Sequence, residues 1–320
     1  MNAKKLSFAL ATILACSTLA ACGNTDNRLT FNDYWEYNSL APSSSLEEIL
    51  QYKVTFEKGD GLSSIPYKLT YGEGSYTTTL KSQGEGYIYT TSLSMPVTFQ
   101  YGEEEAVSVI DTVQTTVVFE NARSGLRPIS SSKQVVSHTP VQSGAYDTAS
   151  CYALYDFSVE TTYPKEDKAT TTVTYRLKDK DPVVYTSQFN AGGGKFSYVD
   201  NEQLLLAIRA VSSSTTSGSV KIYNPFVERV QKIKLAFDAE ATGKDFTYLF
   251  NGTSETKTIS CREVSITIDE QNPGATQTAV IAATSDPAKN THRNVMLKLT
   301  TPLSYSFGSL VYELTAITRN

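Results

Sequence analysis

Few residues in this 320-residue chain are of types that do covalent or metal chemistry, and they are scattered. There are two histidines, His138 and His292, and neither has a second ligand-type residue at a metal-binding spacing. Zinc sites and Ser-His-Asp sites need converging partners, so both histidines are expected to be isolated surface residues. Asp156 and Glu160 are the nearest approach to a glycosidase pair. On a strand, four residues span about 13 Å, beyond the ~5–9.5 Å over which paired carboxylates work. Glu103-Glu104-Glu105, after Gly102, reads as a solvated hairpin tip. No G-x-S-x-G, P-loop or dinucleotide fingerprint occurs. The expectation is therefore a non-enzyme with no catalytic residue, no metal and no cofactor.

The chemistry that the spacing does favour is at the N-terminus. Lys4 and Lys5 give a short positive start, Leu6 to Leu14 is apolar, and Leu19-Ala20-Ala21-Cys22 follows. An apolar run this short suits the core of a signal peptide, since a spanning helix needs about 20 apolar residues. The Leu-Ala-Ala-Cys tetrapeptide resembles the lipobox of bacterial lipoproteins. That resemblance implies a signal peptide over residues 1–21, cleavage before Cys22, and a diacylglyceryl group on the Cys22 thiol. Cys16, after Ile13-Leu14-Ala15, is a rival with a shorter apolar core. An ordinary signal peptide cut after Ala20 or Ala21 is the plainer alternative. Two acyl chains at about 0.8 kcal/mol per methylene hold a protein to a bilayer where one does not. The expected address is extracytoplasmic, anchored to the cell membrane or to an outer membrane, with the membrane as first partner.

Composition narrows the partners further. The formal net charge is −5, and loss of Lys4 and Lys5 with the leader takes it to about −7. A mildly acidic chain with no basic run argues against nucleic acid. Of the four cysteines, Cys151 and Cys261 survive as thiols. Outside the cytoplasm they can form a disulfide that closes a long loop, or stay as two buried thiols. Both readings stand on sequence alone. Oligomeric state is not legible.

Residues 22–45 are polar and read as a tether, with Phe31 to Tyr37 (FNDYWEY) as an aromatic cluster that docks on the domain or sits at headgroup level. From Tyr52 onward apolar and polar residues alternate with period two, as in Tyr67-Leu69-Tyr71, Val173-Tyr175-Leu177, Val264-Ile266-Ile268, Val295-Leu297-Leu299 and Leu310-Tyr312-Leu314. This is the pattern of antiparallel strands with one apolar and one wet face. Two segments break it. Ser45 to Tyr52 (SLEEILQY) has the look of a capped helix, with Ser45 and Glu48 three apart. Asp200 to Val211 (DNEQLLLAIRAV) is the better helix, with Asp200 as cap, Gln203 answering, and apolar residues on more than one face, so it is buried. The fold expected over residues 46–320 is mainly β: one large curved antiparallel sheet, a half-barrel, wrapped around one buried helix. The alternative is two β-sandwich domains.

The stretches Ile65–Leu80, Asp200–Val211 and Cys261–Leu314 together resemble the half-barrels of the lipoprotein carriers LolA and LolB and their relatives, which include a bacterial family of unknown function. The resemblance implies an apolar cavity between sheet and helix, with Leu204, Leu205 and Ile208 on its lining, able to hold an apolar ligand or a lipidated partner. The plain alternative is that the same residues fill a core. Two functions follow: a lipid-anchored binding or carrier module, or a structural or adhesive surface lipoprotein.

Overall fold

The computed structural model describes Leu29 and residues 46–320, except 85, 123–124, 165–167, 177–180, 190–198, 213, 225–228, 239–241, 268–275 and 284–294. Residues 1–21, expected to be a signal peptide, Cys22, Phe31–Tyr37, His292, Gly192-Gly193-Gly194 and Asn272-Pro273-Gly274 lie outside the described residues, as do Leu177 and Ile268.

Among the described residues, seventeen strands form one sheet: β1 (Glu47–Lys58), β2 (Lys68–Tyr71), β3 (Gly74–Gln83), β4 (Gly86–Gln100), β5 (Val107–Ala122), β6 (Gly125–Pro140), β7 (Tyr152–Thr162), β8 (Ala169–Arg176), β9 (Val183–Phe189), β10 (Val199–Asp200), β11 (Ser217–Asn224), β12 (Arg229–Phe237), β13 (Thr242–Phe250), β14 (Thr253–Thr267), β15 (Gln277–Ala282), β16 (Met296–Pro302) and β17 (Gly308–Arg319). Hairpin neighbours run antiparallel from β3 to β9, where register alternation puts one face inward. On β4, Tyr87, Leu93, Met95 and Phe99 are buried, and on β5 Val113, Val117 and Phe119 are buried. The sheet is joined in its middle by its sequence extremes: β1 pairs with β3 on one side and with β17 on the other. From β17 it continues through β16, β15, β14, β12 and β11 to the parallel two-residue β10. The wall is thus barrel-like.

Its two edges meet through side chains. Phe189 of β9 stacks on Tyr223 of β11, rings 3.5 Å apart, and the Tyr163 hydroxyl donates to Asp200. One core cluster runs through both halves of the sheet and includes the helix. The single curved sheet, not two sandwiches, is the architecture.

Three sequence expectations change. Ser45–Tyr52 does not start a helix; Glu47–Lys58 is β1, because Glu48, Leu50, Tyr52 and Val54 all turn inward at period two and both edges of the strand are paired. Two ladders outweigh a capping motif of modest local worth. The expected Asp200–Val211 helix shortens to α1 (Leu204–Arg209), preceded by a 3-10 turn over Asn201–Gln203. Its capping box is present as read: Asp200 accepts from the Glu202 N–H and Gln203 accepts from the Asp200 N–H. Finally, Leu29 lies within the expected tether, yet its N–H donates to the Ser219 carbonyl (3.1 Å) and its side chain packs on the core.

Asn251-Gly252 forms the turn between β13 and β14. Both residues have positive φ, 47° and 83°, as the tight turn between β13 and β14 requires.

Candidate functional site

Inward positions of β6 and β7 should be apolar, and Val135, Phe157 and Val159 are. Ser131, Lys133 and Thr161 occupy the same inward parity and are polar. Opposite them the chain leaves β10 and turns into α1, which brings Asp200, Asn201 and Glu202 against that wall. Together with Val159 they line a small, partly open pocket whose enclosed volume is about 10 Å³.

Its electrostatics follow from burial. Lys133, 4% exposed, donates to Glu202 Oε1 at 3.0 Å, and Asn201 Nδ2 donates to the same oxygen at 2.8 Å. Asp200 is fully buried and works as a cap, accepting from the Glu202 N–H (2.8 Å), from the Tyr163 hydroxyl and from Ser131. Burial first, then the nearby Glu202 charge, pushes its carboxyl up to about 6, against the pull of those three hydrogen bonds. Asn201 is 3% exposed and its Oδ1 has no partner among the described residues. An unsatisfied buried acceptor costs about 1–3 kcal/mol, which a bound donor would recover.

A second buried charge cluster ties α1 to the strands that join the chain ends. Glu48 of β1 receives Arg209 Nη1 at 2.7 Å and Arg319 Nη2 at 2.6 Å, all three nearly inaccessible. Burial would raise the Glu48 carboxyl, but the two guanidiniums outweigh it and hold it below the ordinary range. The cluster is closed to solvent and works as a bolt.

The sequence-picked residues fare unevenly. His138 is not isolated: its ring Nδ1 lies 2.8 Å from Asp111 Oδ1, which also accepts the His138 backbone N–H at 2.7 Å. Burial pushes the Asp111 carboxyl up, and its Oδ2 has no partner. No hydroxyl or thiol is bonded to the His138 ring among the described residues. Asp156 pairs with Arg176 at the surface (2.9 Å), and Glu160 is exposed. Glu103 and Glu105 are exposed at a hairpin tip as expected, whereas Glu104 accepts from the Thr148 N–H and hydroxyl and clasps the turn before β7. Cys151 and Cys261 are two separate buried thiols, so the disulfide alternative is not the state seen; Cys151 Sγ donates to the Asp147 carbonyl. Leu204, Leu205 and Ile208 are 0, 8 and 1% exposed within the core, and the pocket opens beside the helix's start, not against these three. The pocket residues on β6 and β7 were missed. Their one sequence signal was a lysine at an inward position, between Ser131 and Val135.

No family model and no curated protein matches this chain. It does have solved structural neighbours. One is described as a β-barrel-like protein of domain of unknown function DUF1849 from Brucella abortus. It is 13% identical, with 86% of this chain and 98% of that chain covered at a TM-score of 0.46.

Proposed function

We propose that the chain is an extracytoplasmic lipoprotein, held to a membrane by acyl chains on Cys22, whose barrel acts as a binding module at the bilayer surface. The observation that carries this reading is the ordered leader, Lys4-Lys5, Leu6–Leu14 and Leu19-Ala20-Ala21-Cys22, followed seven residues later by Leu29, which is already bonded to β11. Seven extended residues reach at most about 25 Å. An acyl group on Cys22 would therefore keep the barrel close to the headgroups, with the β11 side tethered.

Within that reading, two ligand classes compete. A curved sheet around one helix is the architecture that suits an apolar ligand or a lipidated partner. The packing of α1 favours a second class, surface binding without an interior lipid, because Leu204, Leu206 and Ile208 are buried as part of the core. Radiolabelled palmitate fed to cells expressing the chain tests the anchor: label on the wild type and none on Cys22→Ser supports it. Label on both, or a mature N-terminus other than residue 22, overturns it. Mass spectrometry of lipids extracted from the purified Cys22→Ser protein, with fluorescent fatty-acid uptake, decides the ligand class. Stoichiometric lipid or uptake supports the carrier, and neither supports the surface module.

A further inference from the structure

Any ligand for the pocket at the start of α1 must complete three things that the protein leaves open. The first is an acceptor. Asn201 Oδ1 is buried without a partner, and its orientation is fixed because the amide nitrogen of the same side chain donates to Glu202. The second is charge. Asp200 and Glu202 carry two carboxyl groups to the single ammonium of Lys133, and among the described residues the donors to the Glu202 side chain, Lys133 and Asn201, both fall on Oε1 and not on Oε2. The third is space. The inner end of the pocket admits a group about the size of one water.

Those three conditions select a small cationic donor. A metal ion fits poorly, because no group of three His, Cys, Asp or Glu converges among the described residues. A guanidinium or a trimethylammonium is too large. An ammonium has three N–H donors, and Asn201, Glu202 and Thr161 line the same small space, the Thr161 hydroxyl sharing a 3.0 Å hydrogen bond with Thr171 and keeping a lone pair to offer. We propose that this pocket binds a primary ammonium group.

Two sources share that chemistry, a soluble amine and the headgroup of an aminophospholipid. The second rests on the membrane-anchored reading. Leu29 is fixed to Ser219, while Asp200 pairs with Tyr223, four residues along the same strand. At about 3.3 Å per residue that places the pocket about 13 Å from the tethering contact.

The test uses the whole chain carrying Cys22→Ser, so that no acyl group contributes. Ethanolamine is titrated by calorimetry, with tetramethylammonium as the control. Saturable ethanolamine binding is expected at millimolar or lower concentration, none with tetramethylammonium, and a loss of about tenfold in Glu202→Gln. Because Glu202→Gln leaves Lys133 buried beside a neutral amide and can weaken the fold, Thr161→Val serves as a second variant of nearly unchanged shape, expected to lose severalfold, with its fold checked by circular dichroism because it also removes the bond to Thr171. Absence of saturable binding, equal binding of tetramethylammonium, or unchanged affinity in a folded Thr161→Val protein together with a folded Glu202→Gln protein overturns the site. Flotation with phosphatidylethanolamine vesicles against pure phosphatidylcholine vesicles then assigns the source. Preferential recruitment supports the headgroup, and ethanolamine binding without it supports a soluble amine. Neither outcome depends on whether Cys22 is acylated in the native cell.

Discussion

Glu48 and Asp200 are both buried carboxyls, yet they bear opposite relations to stability. Glu48 sits between two guanidiniums that hold its pKa down. Its contribution is therefore present at neutral pH and is lost as pH falls through its folded value. Glu48→Ala leaves Arg209 and Arg319 buried without their anion and is expected to cost about 3–5 kcal/mol; urea unfolding at pH 7.5 measures it, and a loss below about 1 kcal/mol would mean the arginines find other partners. Asp200 is pushed up to about 6. Its neutral form is favoured in the fold, so its contribution is full below the ordinary carboxylate value and is lost as pH rises through about 6. A shift of that size is worth on the order of 3 kcal/mol. Asp200→Asn keeps an acceptor for the Glu202 N–H, so it is expected to flatten the dependence of unfolding free energy on pH between about 4 and 7, without a loss at pH 7.5. A slope unchanged from the wild type would place the proton uptake elsewhere. Neither role was legible from the residue alone. Glu48 looked like a capping acid, and only its inward register and the approach of α1 and the β17 end made it a buried anion.

At the scale of elements, α1 is too short to be stable by itself, since isolated helices below ~12–15 residues are marginal. Tertiary packing holds it: every residue from Leu204 to Arg209 is buried. Leu206→Ala, at a position with no exposure, is expected to destabilise the domain by about 2–5 kcal/mol through lost burial and a residual cavity. A cost well under 1 kcal/mol in equilibrium unfolding would show that the helix already borders empty space, and would favour the apolar-ligand class. The capping box and the greasy face were readable in DNEQLLLAIRAV, because they depend on spacing within a few residues. The length was not, because Ala210 and Val211 leave the helix where the chain must turn towards β11. Strand positions were likewise readable wherever alternation was clean, as in Tyr67-Leu69-Tyr71, where Leu69 and Tyr71 are buried on β2 and Lys68 and Thr70 are exposed. Ser45–Tyr52 misled because its apolar spacing satisfies both periods over so few residues, and pairing on both edges chose the strand.

For the molecule as a whole, closure depends on a seam made by side chains. Phe189 and Tyr223 stack across the two sheet edges beside the Tyr163–Asp200 contact. Phe189→Ala is expected to raise amide exchange selectively in β8 and β9 while the β1–β17 join stays protected; uniform acceleration would mean the seam is not a separate opening unit. By itself the sequence determined the β class, the inward and outward faces and the capped start of the helix, since each is written in neighbours a few residues apart. Tertiary structure alone decided that β1 lies between β3 and β17, that Arg209 and Arg319 converge on Glu48, and that Lys133 meets Asn201 and Glu202 in one pocket. Those pairings join residues tens to hundreds of positions apart, and chain periodicity carries no information about which distant strands become neighbours.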